Sequence, residues 1–247
     1  MREIVLNSIP LNDFGLTPSD LENLGERTVV VTKWNWDYDL AHKFQRAALA
    51  LVSETPSLRI LICCNHPEVL TNGRGLQKPR KGESFNLVDF NPALFPKLPY
   101  PLFQIERGGG LTFHHPGQFI FYPIVKLNPK SLSLSHMIDQ IFDFSIEVLK
   151  DWGLEGLHHQ HQLLGLWHEN KKVASMGIAI EKLTTFHGMA INLIDNENMR
   201  MAMNSLNPCG LNSETYTAVN KLGNLPQDNL VQNFKKQFLQ RIEREWK

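Results

Sequence analysis

The residues best suited to covalent chemistry lie far apart in this sequence. Cys209 stands between Pro208 and Gly210 in the segment "SLNPCGL", where its two neighbours predict a turn. A thiol on a turn is accessible to a substrate, and its thiolate is a nucleophile suited to acyl transfer through a thioester. An isolated cysteine is also consistent with a small buried hydrophobe, so the residue type alone leaves both interpretations open.

A lysine that could activate such a thiol opens the segment "KVASMGIAI". Lys172 begins a run of small and apolar residues typical of a buried strand, whereas Lys171 is expected to be solvated or ion-paired at the surface. If Lys172 is desolvated beside a thiol, it favours the thiolate or accepts its proton. A lysine that only snorkels from the strand entrance remains the alternative.

A third segment, "ERGGGLTFHHPGQFIFYP" (106–123), offers bare backbone beside an apolar wall. It lacks the glycine order of a dinucleotide or phosphate loop, which disfavours a phosphate ligand. Adjacent residues of an extended chain point to opposite sides, so we expect one of His114 and His115 to face inward and the other outward. Glycines let a linear ligand lie against the main chain, and this combination favours a hydrocarbon chain.

The remaining histidines and cysteines give weaker signals. In "HHQH" (158–161), two histidines could share a helical face, but no carboxylate or cysteine lies close in sequence to complete a site. Cys63 and Cys64 fall inside the apolar run "LRILICC", where buried structural cysteines are expected. We therefore predict no metal site and no cofactor.

Composition excludes several classes of function. The 247 residues contain 25 Lys+Arg and 25 Asp+Glu, so no global field draws the chain to nucleic acid or to an anionic membrane. The first residues lack the pattern of a signal peptide, and no apolar run approaches the ~20 residues that span a bilayer. Three cysteines are too few for a disulfide framework, so we expect a reduced, cytoplasmic protein.

Hydrophobic periodicity predicts both helices and strands. Amphipathic helices are expected at 37–54, 131–153 and 230–246, and strands at 27–36, 58–64, 102–106, 118–125, 172–180 and 184–193. The glycine-rich stretch is expected to be a loop between two strands, and the chain from 194 to 214 to be irregular. Because strands and helices do not strictly alternate, the sequence predicts a single α/β domain around a mixed sheet.

Together these segments resemble the lipoyl(octanoyl) transferase family over about residues 28 to 215. The family pattern has Arg-Gly-Gly, then Thr, an aromatic residue and His, then Gly-Gln and a Tyr. This chain matches it with Arg107-Gly108-Gly109, Thr112-Phe113-His114, Gly117-Gln118 and Tyr122. The segments "NHPEVLTNGR", "KVASMG", "FHGMAINL" and "NPCG" follow the family's order.

The resemblance implies roles for particular residues. Cys209 would form the thioester, and Lys172 would lower its pKa and serve as general base. The acyl chain would bind residues in three segments: Arg107, Gly108, Gly109, Gly110, Leu111, Thr112, Phe113 and His114; Ser175, Met176 and Gly177; and Gly188, Met189 and Ala190. The implied fold is that of biotin and lipoate ligase catalytic domains, with residues 28–247 as the catalytic domain and residues 1–27 as an N-terminal extension.

The resemblance also implies substrates. Octanoyl-acyl carrier protein would be the donor, and the lipoyl domains of 2-oxoacid dehydrogenases and the glycine cleavage H protein would be the acceptors. The chain departs from the family at His115, where glycine is common. The alternatives are an ATP-dependent lipoate or biotin ligase on the same fold and a non-catalytic protein that binds acyl carriers.

Overall fold

Helices enclose a large mixed sheet, and a small second sheet lies beside it. The computed structural model describes residues 1–75, 99–128, 130–160, 163–206, 213–223, 225 and 228–246. The α-helices are α1 (Arg2–Ser8), α2 (Tyr38–Glu54), α3 (Leu134–Asp151), α4 (Glu197–Leu206) and α5 (Leu230–Glu245). The strands are β1 (Leu21–Asn23), β2 (Thr28–Lys33), β3 (Arg59–Cys64), β4 (Val69–Gly75), β5 (Leu102–Gln104), β6 (Gly109–His114), β7 (Gln118–Ile124), β8 (Leu157–Gln160), β9 (Gly165–His168), β10 (Lys171–Glu181) and β11 (Thr184–Asn192).

The large sheet has eight strands in the order β1-β2-β3-β7-β11-β10-β9-β8. Strands β2 and β3 pair in parallel, and the other neighbours in this sheet pair antiparallel. The small sheet has the order β5-β4-β6, with β5 parallel and β6 antiparallel to β4. The prediction of an α/β chain with a mixed sheet is confirmed.

Residues at the helix ends explain where two of the helices begin or stop. The Asp37 carboxylate accepts a hydrogen bond from the Leu40 N–H at 3.1 Å and caps α2. Ser133 caps α3 in the same way, through the His136 N–H at 3.2 Å. Gly153 adopts a φ of +84° just beyond α3, a conformation that favours glycine and ends the helix as predicted.

Side-chain alternation along β7 divides the core between two faces of the sheet. Phe119 and Phe121 pack with α3 and α5, whereas Ile120 and Tyr122 pack on the side of α2. Apolar residues that precede the first strands, including Val5, Ile9 and Leu16, join this second cluster. The sheet is therefore covered on both sides, and its central strands carry continuous apolar runs.

Several local expectations were wrong. The glycine-rich stretch is not a loop, because Gly109–His114 forms β6 and pairs with β4, a strand the sequence did not signal. The chain after β11 forms α4 rather than irregular structure, and Met199 and Ala202 pack it onto β6. Residues 158–160 lie in strand β8, so the helical arrangement considered for His158 and His161 is excluded for the described part of that segment.

The sequence predicts an irregular, proline-punctuated stretch from Pro79 to Pro101, and its residues 79–98 lie outside the described residues. Among the helices that the structure describes, none has the length and apolar character needed to cross a bilayer.

Candidate active site

The small sheet brings the glycine-rich segment against β10. The Gly108 N–H points to the Ile178 carbonyl at 3.4 Å. A Cβ atom on Gly177 would lie 2.8 Å from the Gly108 oxygen and 2.9 Å from Arg107 Cδ. These distances are shorter than normal contacts, so only glycine at 177 allows the two segments to approach this closely.

The other two predicted acyl-binding segments face each other in the large sheet. Ser175 pairs with Ala190, Met176 with Met189 and Gly177 with Gly188 across β10 and β11. Because β6 packs over the same strands, all three predicted segments meet at one place. The three segments are far apart in sequence, so their meeting in space could not be predicted from their positions along the chain.

A cavity of about 20 Å³ lies where the segments meet. Its lining combines predicted residues with four others, and consists of Leu111, Thr112, Phe113, Gln118, Ser175, Ala190, Asn192, Met199 and Tyr216. That volume suits about one water molecule, so a medium-length acyl chain requires side chains such as Phe113 or Met199 to move. A larger cavity of about 340 Å³, between Leu24–Thr28 and Ile242–Trp246, contains none of the predicted site residues.

Arg107 links the small sheet together. Its side chain is buried, and Nη2 donates to the Thr71 carbonyl at 3.0 Å, to the Thr71 hydroxyl at 2.9 Å and to the Thr112 hydroxyl at 2.8 Å. Nη1 donates to the Gly108 carbonyl at 3.0 Å. The guanidinium therefore connects β4, β6 and the Gly108 turn, which positions the backbone beside Gly177.

A chain of buried hydrogen bonds connects β6 with β7 and β11. His114 Nδ1 donates to Gln118 Oε1 at 3.0 Å, and Gln118 Nε2 donates to Asn192 Oδ1 at 2.9 Å. Asn192 Nδ2 then donates to the Thr217 carbonyl at 3.1 Å. Gln118 and Asn192 lie in segments that match the family, but they were not predicted as site residues, and their hydrogen bond to each other follows only from their cross-strand positions.

Lys172 lies at the end of this network. The Thr217 N–H donates to the Lys172 carbonyl at 3.0 Å, and Tyr216 forms a β-bridge with Lys172. The Lys172 side chain is buried, and its Nζ lies 5.5 Å from the centre of the Trp167 ring. The Lys172 side chain is therefore directed into the interior and not into solvent.

Gly165 makes room for the Lys172 side chain. A Cβ atom at position 165 would come within 2.6 Å of Lys172 Cε and within 2.3 Å of the Ala174 carbonyl. A β-bulge between Lys172 and Ala174 shifts the register with β9 at the same place. The bulge redirects side chains locally, as bulges near functional sites often do.

Cys209 lies outside the described residues, which resume at Ser213. The two described cysteines are poor nucleophiles, because burial raises the pKa of Cys63 to about 12 and that of Cys64 well above its ordinary value. Both thiols are fully buried in β3, as predicted. Of the three cysteines, only Cys209 remains a candidate for acyl transfer.

His114 and His115 are both buried, so the prediction that one of them faces outward was wrong. Strand β6 ends at His114, whose ring lies between the Thr71 hydroxyl and Gln118. His115 leaves the strand, and its Nδ1 accepts a hydrogen bond from the Gly117 N–H at 3.1 Å. Burial lowers the pKa of both rings, to about 4 for His115.

We expect the protein to lose stability as the pH falls from about 7 to about 5. Burial also lowers the pKa of His66 to about 4, so His66 and His115 stay neutral in the folded state, whereas unfolded imidazoles bind protons near pH 6.5. Stability is therefore complete above pH 6.5 and declines below it, by on the order of 1 kcal/mol per pH unit for each ring. Urea unfolding at the two pH values measures this, and equal free energies of unfolding would contradict it.

One polar cluster beside the site was not predicted from the sequence. His42 of α2, Glu106 before β6 and His187 of β11 place one nitrogen or oxygen atom each within 4.8 Å of one another. Glu106 precedes Arg107, and His187 precedes Gly188. The three residues come from segments too far apart in sequence to form a recognisable spacing.

The chain is similar to several known proteins. Residues 37–243 match the family model described as lipoyl protein ligase A/B catalytic domain. The octanoyltransferase of Syntrophobacter fumaroxidans is 30% identical over 188 residues, covering 75% of this chain and 77% of the relative. The octanoyltransferase of Nostoc sp. is 33% identical and covers 70% and 73%; that of Bdellovibrio bacteriovorus is 30% identical and covers 83% and 93%.

Solved structures support the fold. A crystal structure of lipoate-protein ligase A bound with ATP superposes with a TM-score of 0.61 at 12% identity, covering 87% of this chain and 85% of the other. P. falciparum LipL1 in complex with lipoate gives a TM-score of 0.63 at 14% identity, covering 88% and 63%. The predicted likeness to lipoate ligase catalytic domains is confirmed at the level of the fold.

Proposed function

The chain belongs to the lipoyl protein ligase A/B catalytic-domain family, and we propose that it transfers an octanoyl group to lipoyl-carrier proteins through a thioester on Cys209. It is an acyltransferase, and octanoyl transfer in protein lipoylation is the activity of its curated relatives. The observation that supports the proposed route is the burial of Lys172 beside the place where the three glycine-containing segments meet.

In the first step, the Cys209 thiolate attacks the thioester carbonyl of octanoyl-acyl carrier protein. Lys172 takes the thiol proton or favours the thiolate by its charge. The tetrahedral intermediate collapses, the carbon–sulfur bond to the carrier breaks, and the carrier thiol leaves with a proton. The octanoyl group is then held on Cys209 as a new thioester.

In the second step, the amine of a lipoyl-domain lysine attacks the Cys209 thioester. An amide bond forms, the thioester bond breaks, and the Cys209 sulfur recovers a proton. Backbone N–H groups near Gly177 are the proposed stabilisers of the oxyanion in both steps. Two acyl transfers with an enzyme-bound intermediate replace one transfer between two large proteins.

The acyl chain is proposed to lie between β6 and the β10–β11 pair. Leu111, Phe113 and Ala190 provide buried apolar surface there. Met176 and Met189, which the resemblance assigned to the acyl site, pack on the opposite face of the sheet with α3. The acyl chain enters by displacing side chains around the small cavity. Met199 can move aside because its unbranched side chain has flexible torsions.

An ATP-dependent ligase is the first alternative, because its fold is the same. Octanoyl transfer from octanoyl-acyl carrier protein is expected to proceed without ATP, since the thioester already carries the activated acyl group. Transfer to a lipoyl domain should be measured by the mass of the acceptor, with octanoyl carrier alone and with free octanoate plus ATP and Mg²⁺. Transfer seen only in the second mixture would replace this proposal with ligation.

The second alternative is a protein that binds acyl carriers without turnover. Carrier binding with no acylated acceptor in either mixture would favour it.

The proposal of octanoyl transfer has three further parts. They are the specific donor and acceptors named here, the cytoplasmic location, and the division into an extension at 1–27 and a catalytic domain at 28–247.

A further inference from the structure

His42, Glu106 and His187 form a compact set of possible metal ligands. Glu106 Oε2 lies 3.0 Å from His42 Nε2 and 3.6 Å from His187 Nε2. Ligand atoms of a tetrahedral zinc site lie about 3.3 Å apart, given metal–ligand bonds of about 2.0–2.2 Å. Each imidazole nitrogen therefore already lies at nearly the distance from the carboxylate that a shared ion requires, and all three ligand atoms lie within 4.8 Å of one another.

The buried histidine of the set has an unused nitrogen aimed at this point. His187 is 1% exposed, and its Nε2 makes no hydrogen bond although the atom is buried. Leaving a buried polar atom without a partner costs free energy of about 1–3 kcal/mol. Such an atom in a folded protein calls for a ligand or another explanation.

The backbone of His187 holds this orientation at an additional cost. Its φ is +58°, in the left-handed region that residues other than glycine rarely adopt. Its N–H donates to Gln45 Oε1 of α2 at 2.8 Å, which anchors it to the helix that also carries His42. Unfavourable backbone conformations of this kind persist mostly at binding and active sites.

We propose that His42, Glu106 and His187 bind a divalent transition-metal ion such as Zn²⁺ beside the acyl site. Two imidazoles and one carboxylate form the ligand set of open zinc sites, and imidazole favours zinc over magnesium or calcium. The side chains of His42 and Glu106 are about 21% and 33% exposed, so an ion can enter from solvent. This inference does not depend on octanoyl transfer.

The ion would connect three elements next to the acyl-binding segments. His42 belongs to α2, Glu106 immediately precedes Arg107, and His187 immediately precedes Gly188. A shared ion therefore restrains both the start of the glycine-rich strand and the middle of β11. We expect zinc to raise the melting temperature, because an ion that binds only the folded state stabilises it.

The test uses the Cys209→Ala protein, so that the reactive thiol does not bind metal. Metal-free protein is dialysed against buffered Zn²⁺. The zinc that remains bound to the protein is then measured by inductively coupled plasma mass spectrometry. Co²⁺ is the optical probe, because a tetrahedral site gives visible absorption bands. His42→Gln and Glu106→Gln are the test variants, and His136→Gln, an exposed histidine on α3, is the matched control.

The proposal expects one Zn²⁺ per chain in the background protein and in the His136 control, with a higher melting temperature. Each test variant should weaken binding by at least tenfold and lose the cobalt spectrum. Equal zinc content in the test and control variants would assign the metal to another place and overturn the proposal. Absence of binding in the background protein would overturn it as well. Melting temperatures without metal identify any variant that fails to fold.

Discussion

Replacing Cys209 with alanine is expected to lower the turnover of octanoyl transfer by roughly 10³-fold or more, as removal of a covalent nucleophile commonly does. The acyl group would have no enzyme atom to bind, so each transfer would require both carriers at once. The measurement is the initial rate of acceptor acylation with saturating octanoyl-acyl carrier protein. Carrier affinity should change little, because the change removes one sulfur atom.

The matched control for this experiment is Cys63→Ala. Cys63 and Cys64 are fully buried in β3, and burial raises the pKa of both thiols, so neither can replace Cys209 as nucleophile. The control should retain turnover within a few-fold, with some loss of stability from the vacated core volume. A Cys209→Ala protein as active as the control would eliminate the thioester route.

Replacing Lys172 with methionine is the change with the second largest expected effect. Loss of a proton acceptor or of a charge beside the nucleophile typically lowers kcat by about 10²- to 10⁴-fold. Methionine preserves much of the apolar stem that crosses Gly165 and lies near the Trp167 ring, so folding should be retained. The rate of acylation of the protein by octanoyl carrier, followed in a single turnover, measures the first step directly.

Lys172→Arg separates the two roles proposed for the lysine. Arginine keeps the positive charge but does not release a proton at neutral pH, so activity retained in this variant would assign Lys172 an electrostatic role alone. The control is Lys171→Met, because the Lys171 side chain is directed away to the Glu214 carbonyl, 2.6 Å from its Nζ. Equal rates for Lys171→Met and Lys172→Met would remove Lys172 from the mechanism.

Regular periodicity predicted the parts of the fold that depend on a buried face. The helices α2, α3 and α5 and the strands β2, β3, β7, β10 and β11 follow from patterns within a single segment. Strand β6 could not be predicted in this way, because its glycines are unfavourable in isolation and its stability comes from pairing with β4. Helix α4 depends likewise on Met199 and Ala202 packing against β6.

The candidate site was predictable as segments but not as an arrangement. Motif resemblance indicated the glycine-rich stretch, Lys172 and the β10–β11 residues, yet their meeting depends on the register of Gly177 with Gly188 and on the Gly108 contact. Gln118 and Asn192 act through hydrogen bonds across strands, which no sequence spacing records. The same holds for His42, Glu106 and His187, which come from three segments far apart in sequence.

The intact mass of the protein after brief incubation with octanoyl-acyl carrier protein tests the central claim most directly. The account predicts a mass increase of one octanoyl group in the wild-type chain, located on the peptide that contains Cys209 and removed by hydroxylamine or by a lipoyl-domain acceptor. The same increase should be absent from Cys209→Ala and present in Cys63→Ala. An octanoyl group on the Cys209→Ala protein, or acceptor acylation by wild-type protein that never carries the group, would contradict the account.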